Sequence, residues 1–269
     1  LKQSCDVYYY DMAQRVGIDK ISEMANILGL GVRDDLPMSA VAEGLPPTKQ
    51  WKRENRASEW VVGDSLNASI GQGFVLATPL QLAVMTARIA TNTKVIPRLI
   101  RSVDEREEPA TAPEPLGISP SNMEVIQDAM FAVSNEQRGT AYRSRIDDET
   151  MLMSGKTGTS QVRNITAAER ARGVFRNEDL PWERRDHALF VGFAPADNPK
   201  YAIAVVVEHG GGGSKAAAPI ARDIMLAAQT GTLPPLSAYP ASQRTRIQSA
   251  FDELELRDFE KAPKKGSQA

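Results

Sequence analysis

The sequence has few of the residues that form disulfides and metal centres. Its one cysteine, Cys5, excludes a disulfide within the chain. The two histidines, His187 and His209, stand far apart in the sequence and have no cysteine neighbours. Because protein zinc sites are built from clusters of such ligands, we expect no metal site, and no motif indicates a cofactor.

Long runs of one charge and long apolar runs are also missing. The chain of 269 residues has 32 basic and 34 acidic residues, a balance that argues against nucleic acid as a partner. Its longest apolar runs, such as 201–207, have the length of a strand, whereas a bilayer span needs about 20 apolar residues. The chain starts at Leu1 without a signal sequence, so we expect a piece of a longer protein.

Residues 154–160, with the sequence SGKTGTS, are the most informative stretch of the chain. A phosphate-binding P-loop is excluded, because it requires a glycine where this chain has Thr150. The Lys-Thr-Gly core instead resembles an element of penicillin-recognising serine acyltransferases, where the expected context is an edge strand beside a serine nucleophile. An exposed edge strand whose Lys156 discourages aggregation is an equally good interpretation of this stretch alone.

Each residue of that core has a chemical use in acyl transfer. Lys156 can lower the pKa of a neighbouring hydroxyl or amine and attract a carboxylate. Thr157 and Thr159 offer hydroxyls to the same carboxylate, and the Thr159 N–H can serve as an oxyanion donor. Gly158 has no Cβ, which lets a ligand backbone lie along the strand edge. Strand alternation places Lys156 on the face opposite the two threonines, so they share a ligand only at a twisted edge.

A second candidate element is Ser4-Cys5-Asp6, where the acyltransferase pattern has Ser-Asp-Asn. In isolation, Ser4 and Asp6 are best interpreted as capping residues at the start of a helix. The order of the elements favours the catalytic interpretation, because this element precedes Lys-Thr-Gly along the chain. We expect Cys5 to be a packed thiol rather than a nucleophile.

Periodicity and capping signals predict the secondary structure. Helices are predicted over about the first 30 residues, ending at Gly29, and from Thr78, where Thr78 and Gln81 form a capping box. A third helix is predicted from Ser121, with a Ser121–Glu124 capping box and a buried stripe of Val125, Ile126, Ala129, Met130 and Val133. A fourth is predicted around Pro219, with Ile220, Ile224 and Ala227 on one face. Strands are predicted at 151–162, 187–194 and 201–208.

Several longer segments, in one order, carry a family resemblance. They are Ser69-Ile70-Gly71-Gln72-Gly73, Thr78-Pro79-Leu80-Gln81, the strip 154–162, the run 187–195, Asn198-Pro199-Lys200 and the run 213–221. Together they resemble the transpeptidase domain of the penicillin-binding protein 2 family, over about residues 1–235. This resemblance implies an α/β (α+β) fold of the penicillin-recognising serine transpeptidase, or β-lactamase-like, type. Such a fold has an antiparallel sheet flanked by helices, with a helical subdomain, and would be incomplete here.

The resemblance also implies an organisation of the chain. Residues 1–243 would form the C-terminal part of a transpeptidase domain, with a mainly helical subdomain over 1–145 and strands and a last helix over 146–232. Residues 244–269 lie beyond the resemblance, and their charged sequence predicts a flexible tail that starts with a weak helix. Further strands would complete the sheet, so an apolar edge would stay open in this chain.

The function implied by the resemblance is D,D-transpeptidation in peptidoglycan during cell elongation. Ser4, Asp6 and Lys156 would be catalytic, with Ser4 and Lys156 as proton-relay and electrostatic groups, and Thr157, Gly158 and Thr159 would bind substrate. Stem peptides and β-lactams would be the ligands. A membrane glycosyltransferase and other elongation-complex proteins would be partners, and the catalytic domain would lie in the periplasm, anchored to the inner membrane.

The acylating Ser-x-x-Lys element is missing, because no serine in this chain has a lysine three residues later. We expect it upstream of Leu1, which would make this chain alone inactive. Two alternatives stay open. One is a β-lactamase or β-lactam sensor, which differs in acyl-enzyme lifetime, and the other is a non-catalytic scaffold piece of the elongation complex. A Ser-His-Asp hydrolase is disfavoured, because no Gly-x-Ser-x-Gly elbow occurs.

Overall fold

A computed structural model describes residues 1–107, 112–163, 165–173 and 175–254. The helices in these ranges are α1 (Asp6–Val16), α2 (Ile18–Ile27), α3 (Lys49–Arg56), α4 (Val62–Ser69), α5 (Pro79–Thr91), α6 (Pro120–Asn135), α7 (Ala167–Arg172), α8 (Ala217–Thr230) and α9 (Arg244–Asp252). The strands are β1 (Ser102–Val103), β2 (Arg106–Glu107), β3 (Ser154–Ser160), β4 (His187–Ala194) and β5 (Tyr201–Val207). Among the helices described, none combines the length and hydrophobicity needed to cross a bilayer.

Helix α5 begins as the sequence predicts. The Thr78 hydroxyl accepts from the Gln81 N–H at 3.1 Å, and the Gln81 side-chain oxygen accepts from the Thr78 N–H at 3.0 Å. Pro79 takes the first helical position, where a missing N–H costs nothing. The reciprocal capping box is therefore confirmed.

Helix α6 begins differently from its prediction. Ser119 is the N-cap, with its hydroxyl accepting from the Asn122 N–H at 3.3 Å, and Pro120 follows in the first turn. The predicted box that starts at Ser121 is wrong, because Ser121 already lies inside the helix. The predicted stripe is partly wrong too: Met130 and Val133 are buried, but Val125 is 65% exposed.

The main sheet has three antiparallel strands in the order β3–β4–β5. The register pairs Lys156 with Val191 and Thr157 with Phe190. Because side chains alternate across a strand, Lys156 shares its face with Val191, and Thr157 shares the other face with Phe190. All three predicted strands are present, and in the described structure β3 and β5 form the two edges of this sheet.

The main hydrophobic core fills the face of the sheet that carries Phe190. Phe190 is fully buried and packs in one cluster with Met225 and Leu226 of α8. A Cβ added at Gly155 would lie 2.2 Å from the Phe190 ring, so the first glycine of the strip makes room for this aromatic side chain. The opposite face carries Phe193, which packs against Met130 of α6 and residues of α5 in a second cluster. Since helices cover both faces, β4 is continuously apolar, as predicted.

Helix α8 presents its predicted apolar face to solvent. Ile220 and Ile224 are 42% and 49% exposed, whereas Ala221, Met225 and Leu226 form the buried face. The helix contains two apolar faces, and periodicity alone does not distinguish the one that packs on the sheet.

Residues after α8 belong to the packed part of the chain as far as α9. Tyr239 is fully buried, and the Cζ of Arg222 lies 4.7 Å from the centroid of its ring. Ile247 of α9 is 5% exposed and belongs to the main core. Burial raises the pKa of Tyr239 to about 12. The first nine residues of the predicted tail therefore form a docked helix. The remaining predicted tail, 255–269, lies outside the described residues, and the predicted subdomain boundary near residue 145 stays a prediction.

Replacing the buried anchor of α9 tests this packing. We expect Ile247→Ala to lower the free energy of unfolding by about 2–5 kcal/mol, because it leaves a cavity in the core. Leu254→Ala is the control, since Leu254 is 52% exposed, and we expect it to change stability by less than about 0.5 kcal/mol. Urea unfolding followed by circular dichroism measures both. Equal, small effects would show that α9 is not part of the cooperative fold.

Candidate active site

The outer edge of β3 is the candidate site. Among the described strands β3 pairs only with β4, so alternate backbone groups of β3 point away from the sheet. Three hydrogen bonds identify them: the C=O groups of Thr157 and Thr159 and the N–H of Gln161 bond to side chains rather than to β4. The backbone of this edge is therefore directed toward any ligand that lies beside β3.

The side chain of Lys156 joins this edge to the start of α1. Its Nζ donates to Ser4 Oγ at 2.5 Å and to the Thr157 C=O at 2.5 Å. Ser4 and Lys156 are 152 residues apart in the sequence. The structure thus brings together the two candidate elements of the sequence, Ser4-Cys5-Asp6 and the strip 154–160.

The Ser4 backbone is held in an uncommon conformation. Its φ is 50°, in the left-handed region that costs a non-glycine residue of order 1–3 kcal/mol. The Ser4 N–H donates to the Leu1 C=O at 3.0 Å, which closes a turn. Lys2 in that turn forms an ion pair with Glu136. The C=O of Lys2 accepts from the Thr140 N–H at 3.2 Å. This turn aims the Ser4 hydroxyl at Lys156.

The helix-cap interpretation of Ser4 is wrong. The N-cap of α1 is Cys5, whose side chain makes no capping bond, and Asp6 is the first helical residue. Cys5 is exposed, so the expectation of a packed thiol is also wrong. The serine hydroxyl is thereby available to Lys156 instead of to the helix backbone.

Charge and burial act on Lys156 in opposite directions. Burial lowers the pKa of the Lys156 ammonium, since water is withdrawn from the charged form, and the carboxylate of Asp6 raises the same pKa to a smaller extent. A lysine with a lowered pKa exists more often as the neutral amine, which is the form that can accept a proton. The arrangement suits a proton relay between Lys156 and Ser4.

The predicted substrate-binding residues lie along the same edge. Thr157 Oγ1 is 2.8 Å from Thr140 Oγ1, so its hydroxyl is bonded to the loop after α6. Thr159 is exposed. Gly158 lies under a close turn: a Cβ added at Gly213 would come within 2.5 Å of the Gly158 C=O. The backbone on the α8 side of Gly158 is thus covered by the protein itself.

Two residues that contact the candidate site, Thr140 and Gln72, were not predicted from the sequence. Thr140 has no motif around it, and nothing in the sequence marks it as a partner of Thr157. Gln72 does lie in a segment that carried the family resemblance, between Gly71 and Gly73, but its side chain was given no role. In the structure its Nε2 donates to the Thr159 C=O at 2.6 Å.

The two histidines form a structural pair. His187 Nδ1 accepts from the His209 N–H at 2.9 Å, and the two ring centroids are 4.7 Å apart. The two residues are 22 positions apart in the sequence, and the β4–β5 hairpin brings the start of β4 beside the end of β5. His187 holds this hairpin end in place.

The antiparallel sheet covered by helices, with a serine and a lysine meeting at its edge strand, defines a domain of the penicillin-recognising serine transpeptidase class. Residues 1–226 match the penicillin binding protein transpeptidase domain, and the chain belongs to that family.

Proteins similar to this chain are of the penicillin-binding protein 2 type. The peptidoglycan D,D-transpeptidase MrdA of Haemophilus influenzae is 31% identical over 262 residues, which cover 94% of this chain and 40% of that protein. The structure of Pseudomonas aeruginosa PBP2 in complex with WCK 5153 aligns with a TM-score of 0.70 at 35% identity, covering 89% of this chain and 51% of that one. The structure of the complex between PBP2 and MreC from Helicobacter pylori also aligns with a TM-score of 0.70, at 30% identity. This alignment covers 86% of this chain and 39% of that one. The chain therefore spans less than half the length of the MrdA relative.

Removing the charge of Asp6 tests the electrostatics of the site. We expect Asp6→Asn to lower the pKa of Lys156 further, because the carboxylate is the group that raises it. Titration of the lysine ε-methylene signals by NMR measures this in the chain itself, with the signal assigned through Lys156→Ala. Asp11→Asn, at an exposed carboxylate of the same helix, is the control and should leave the midpoint unchanged. A midpoint for Lys156 that rises or stays constant in Asp6→Asn would contradict this account.

Proposed function

We propose that this chain supplies the sheet-edge part of a peptidoglycan D,D-transpeptidase active site. The acylating serine is absent from its sequence, so the complete protein carries the reaction. The observation on which the proposal rests is the contact between Lys156 Nζ and Ser4 Oγ at the open edge of β3. The family membership and the name of the similar MrdA protein support it.

The geometry favours an extended acyl donor that lies beside β3. A peptide that pairs with the free edge acquires backbone hydrogen bonds without any change of the sheet. The Thr159 N–H, directed to that edge by strand alternation, donates to the carbonyl oxygen that becomes negative in the transition state. The hydroxyls of Thr157 and Thr159 and the charge of Lys156 attract the terminal carboxylate of the donor. A D-alanyl-D-alanine stem peptide has this combination of extended backbone and carboxylate, and a β-lactam mimics it.

The reaction then proceeds in two acyl transfers. The serine hydroxyl attacks the carbonyl carbon of the penultimate D-alanine, its proton passes through the Lys156–Ser4 relay to the leaving nitrogen, and the terminal D-alanine departs. An amine of a second stem peptide attacks the resulting ester, forms the new amide and returns a proton to the serine. Lys156 and Ser4 hold and move the proton in both steps.

Cellular context follows from the same assignment. A protein that cross-links peptidoglycan acts where its substrate lies, so we place the site in the periplasm, with the complete protein anchored to the inner membrane. The PBP2 of Helicobacter pylori has been solved with MreC. A partner of that kind and a membrane glycosyltransferase are the proposed neighbours of the complete protein in the elongation complex.

Acylation by a penicillin tests the function. We expect the complete protein that contains this chain to gain the mass of one penicillin, with the modified peptide carrying a serine outside residues 1–269. Lys156→Ala should slow acylation by about 100-fold or more, the usual worth of positioned acid–base catalysis. Lys20→Ala, at an exposed lysine of α2, is the control and should acylate normally.

Three outcomes of that measurement decide between the functions. No adduct on the folded complete protein would overturn the proposal and favour a scaffold. An adduct that hydrolyses within seconds would identify a β-lactamase. Normal acylation of Lys156→Ala would remove Lys156 from the mechanism.

A further inference from the structure

The side chain of Gln72 closes one end of the candidate site. Its Nε2 donates to the Thr159 C=O at 2.6 Å, and its Oε1 accepts from the Gln161 N–H at 3.3 Å. These are two of the backbone groups that β3 presents at its outer edge. A side-chain amide that accepts and donates in this way occupies the place of a residue in a neighbouring strand.

The backbone of Gln72 is anchored to the end of α4. Its N–H donates to the Asn67 C=O at 2.9 Å, and the Gly71 N–H donates to the Ala68 C=O at 3.0 Å. Gly71 and Gly73 have φ of 74° and 71°, which an L side chain rarely adopts. Since α4 packs on α1, Gln72 is fixed to the same helical unit that carries Ser4. The amide is held in place from outside the sheet.

An acyl donor and Gln72 require the same oxygen atom. In an antiparallel hydrogen-bonded pair, one residue of each strand exchanges both its N–H and its C=O with its partner. A donor residue whose carbonyl accepts from the Thr159 N–H therefore presents its own N–H to the Thr159 C=O. That C=O already accepts from Gln72. A carbonyl oxygen can accept two hydrogen bonds, but both of these N–H groups approach it from the outer edge of β3 and therefore compete for that side of the oxygen.

From this geometry we infer that Gln72 is a specificity-determining residue for the acyl donor. When an acyl donor with an N–H beside its reactive carbonyl pairs with Thr159, that N–H displaces the Gln72 amide from the Thr159 C=O. One hydrogen bond replaces another, so the net gain in binding free energy is small. Donors without the N–H leave Gln72 in place. Gln72 thus reduces the advantage of donors that carry the N–H. The inference rests on the proposed acyl transfer at the β3 edge.

The test compares two acylating probes in the complete protein. Benzylpenicillin carries an acylamino N–H beside its reactive carbonyl, and imipenem carries a hydroxyethyl group there instead. We expect Gln72→Ala to raise the ratio of their second-order acylation rate constants, benzylpenicillin over imipenem, by about three- to tenfold, the worth of one hydrogen bond. Gln72→Ser, too short to reach Thr159, should give the same shift and serves if the alanine variant folds poorly. Gln50→Ala, at an exposed glutamine of α3, is the matched control.

The ratio separates a specificity role from a structural one. If Gln72 only supports the fold of β3, both rate constants fall together and the ratio stays constant, which overturns the inference. Hydrogen exchange in this chain gives an independent measure: the Gln161 amide should lose protection in Gln72→Ala, and unchanged protection would also overturn it. Absence of labelling by both probes in the unsubstituted protein would overturn the proposed function, while the exchange result would still decide whether Gln72 closes the edge.

Discussion

The one-sided pairing of β3 with β4 is the constraint on which the rest of the site depends. Because side chains alternate along a strand, a shift of one residue in this register would move Lys156 to the face of α8 and separate it from Ser4. Phe190 opposes such a shift, because its ring fills the space left by the missing side chain of Gly155. A Cβ at that position would collide with the ring. Core packing on one face of the sheet therefore positions the Lys156 amine on the other.

The free edge of β3 gives the same strand a second use. Backbone groups that a neighbouring strand would have satisfied are bonded instead by side chains, Lys156 at Thr157 and Gln72 at Thr159 and Gln161. Such an edge invites association with other chains unless it is covered. The two side chains cover these backbone groups. In the proposed function, the same hydrogen bonds also limit the length of edge that a ligand can pair with.

Secondary structure was predicted best where the signal was local. The capping box of α5 and the three strands of the sheet were predicted correctly, because Thr78 and Gln81 contact each other directly and apolar runs report burial. Prediction failed where two local signals compete. In α6, Ser119 and Ser121 are both plausible caps, and the one followed by a proline begins the helix. In α8, two apolar faces exist, and the position of the sheet decides that Ile220 and Ile224 are exposed.

By itself the sequence determined the chemical elements of this protein: the Lys-Thr-Gly strip, the serine at residue 4, their order and the missing acylating serine. It also carried the family, since long motifs in one order are specific where a tripeptide is not. Only the tertiary structure decided that Ser4 bonds Lys156 rather than capping a helix, that the two histidines meet, and that Gln72 lies on the edge of β3. These contacts join residues far apart in the chain, and their distances follow from packing and strand register, which no local pattern encodes.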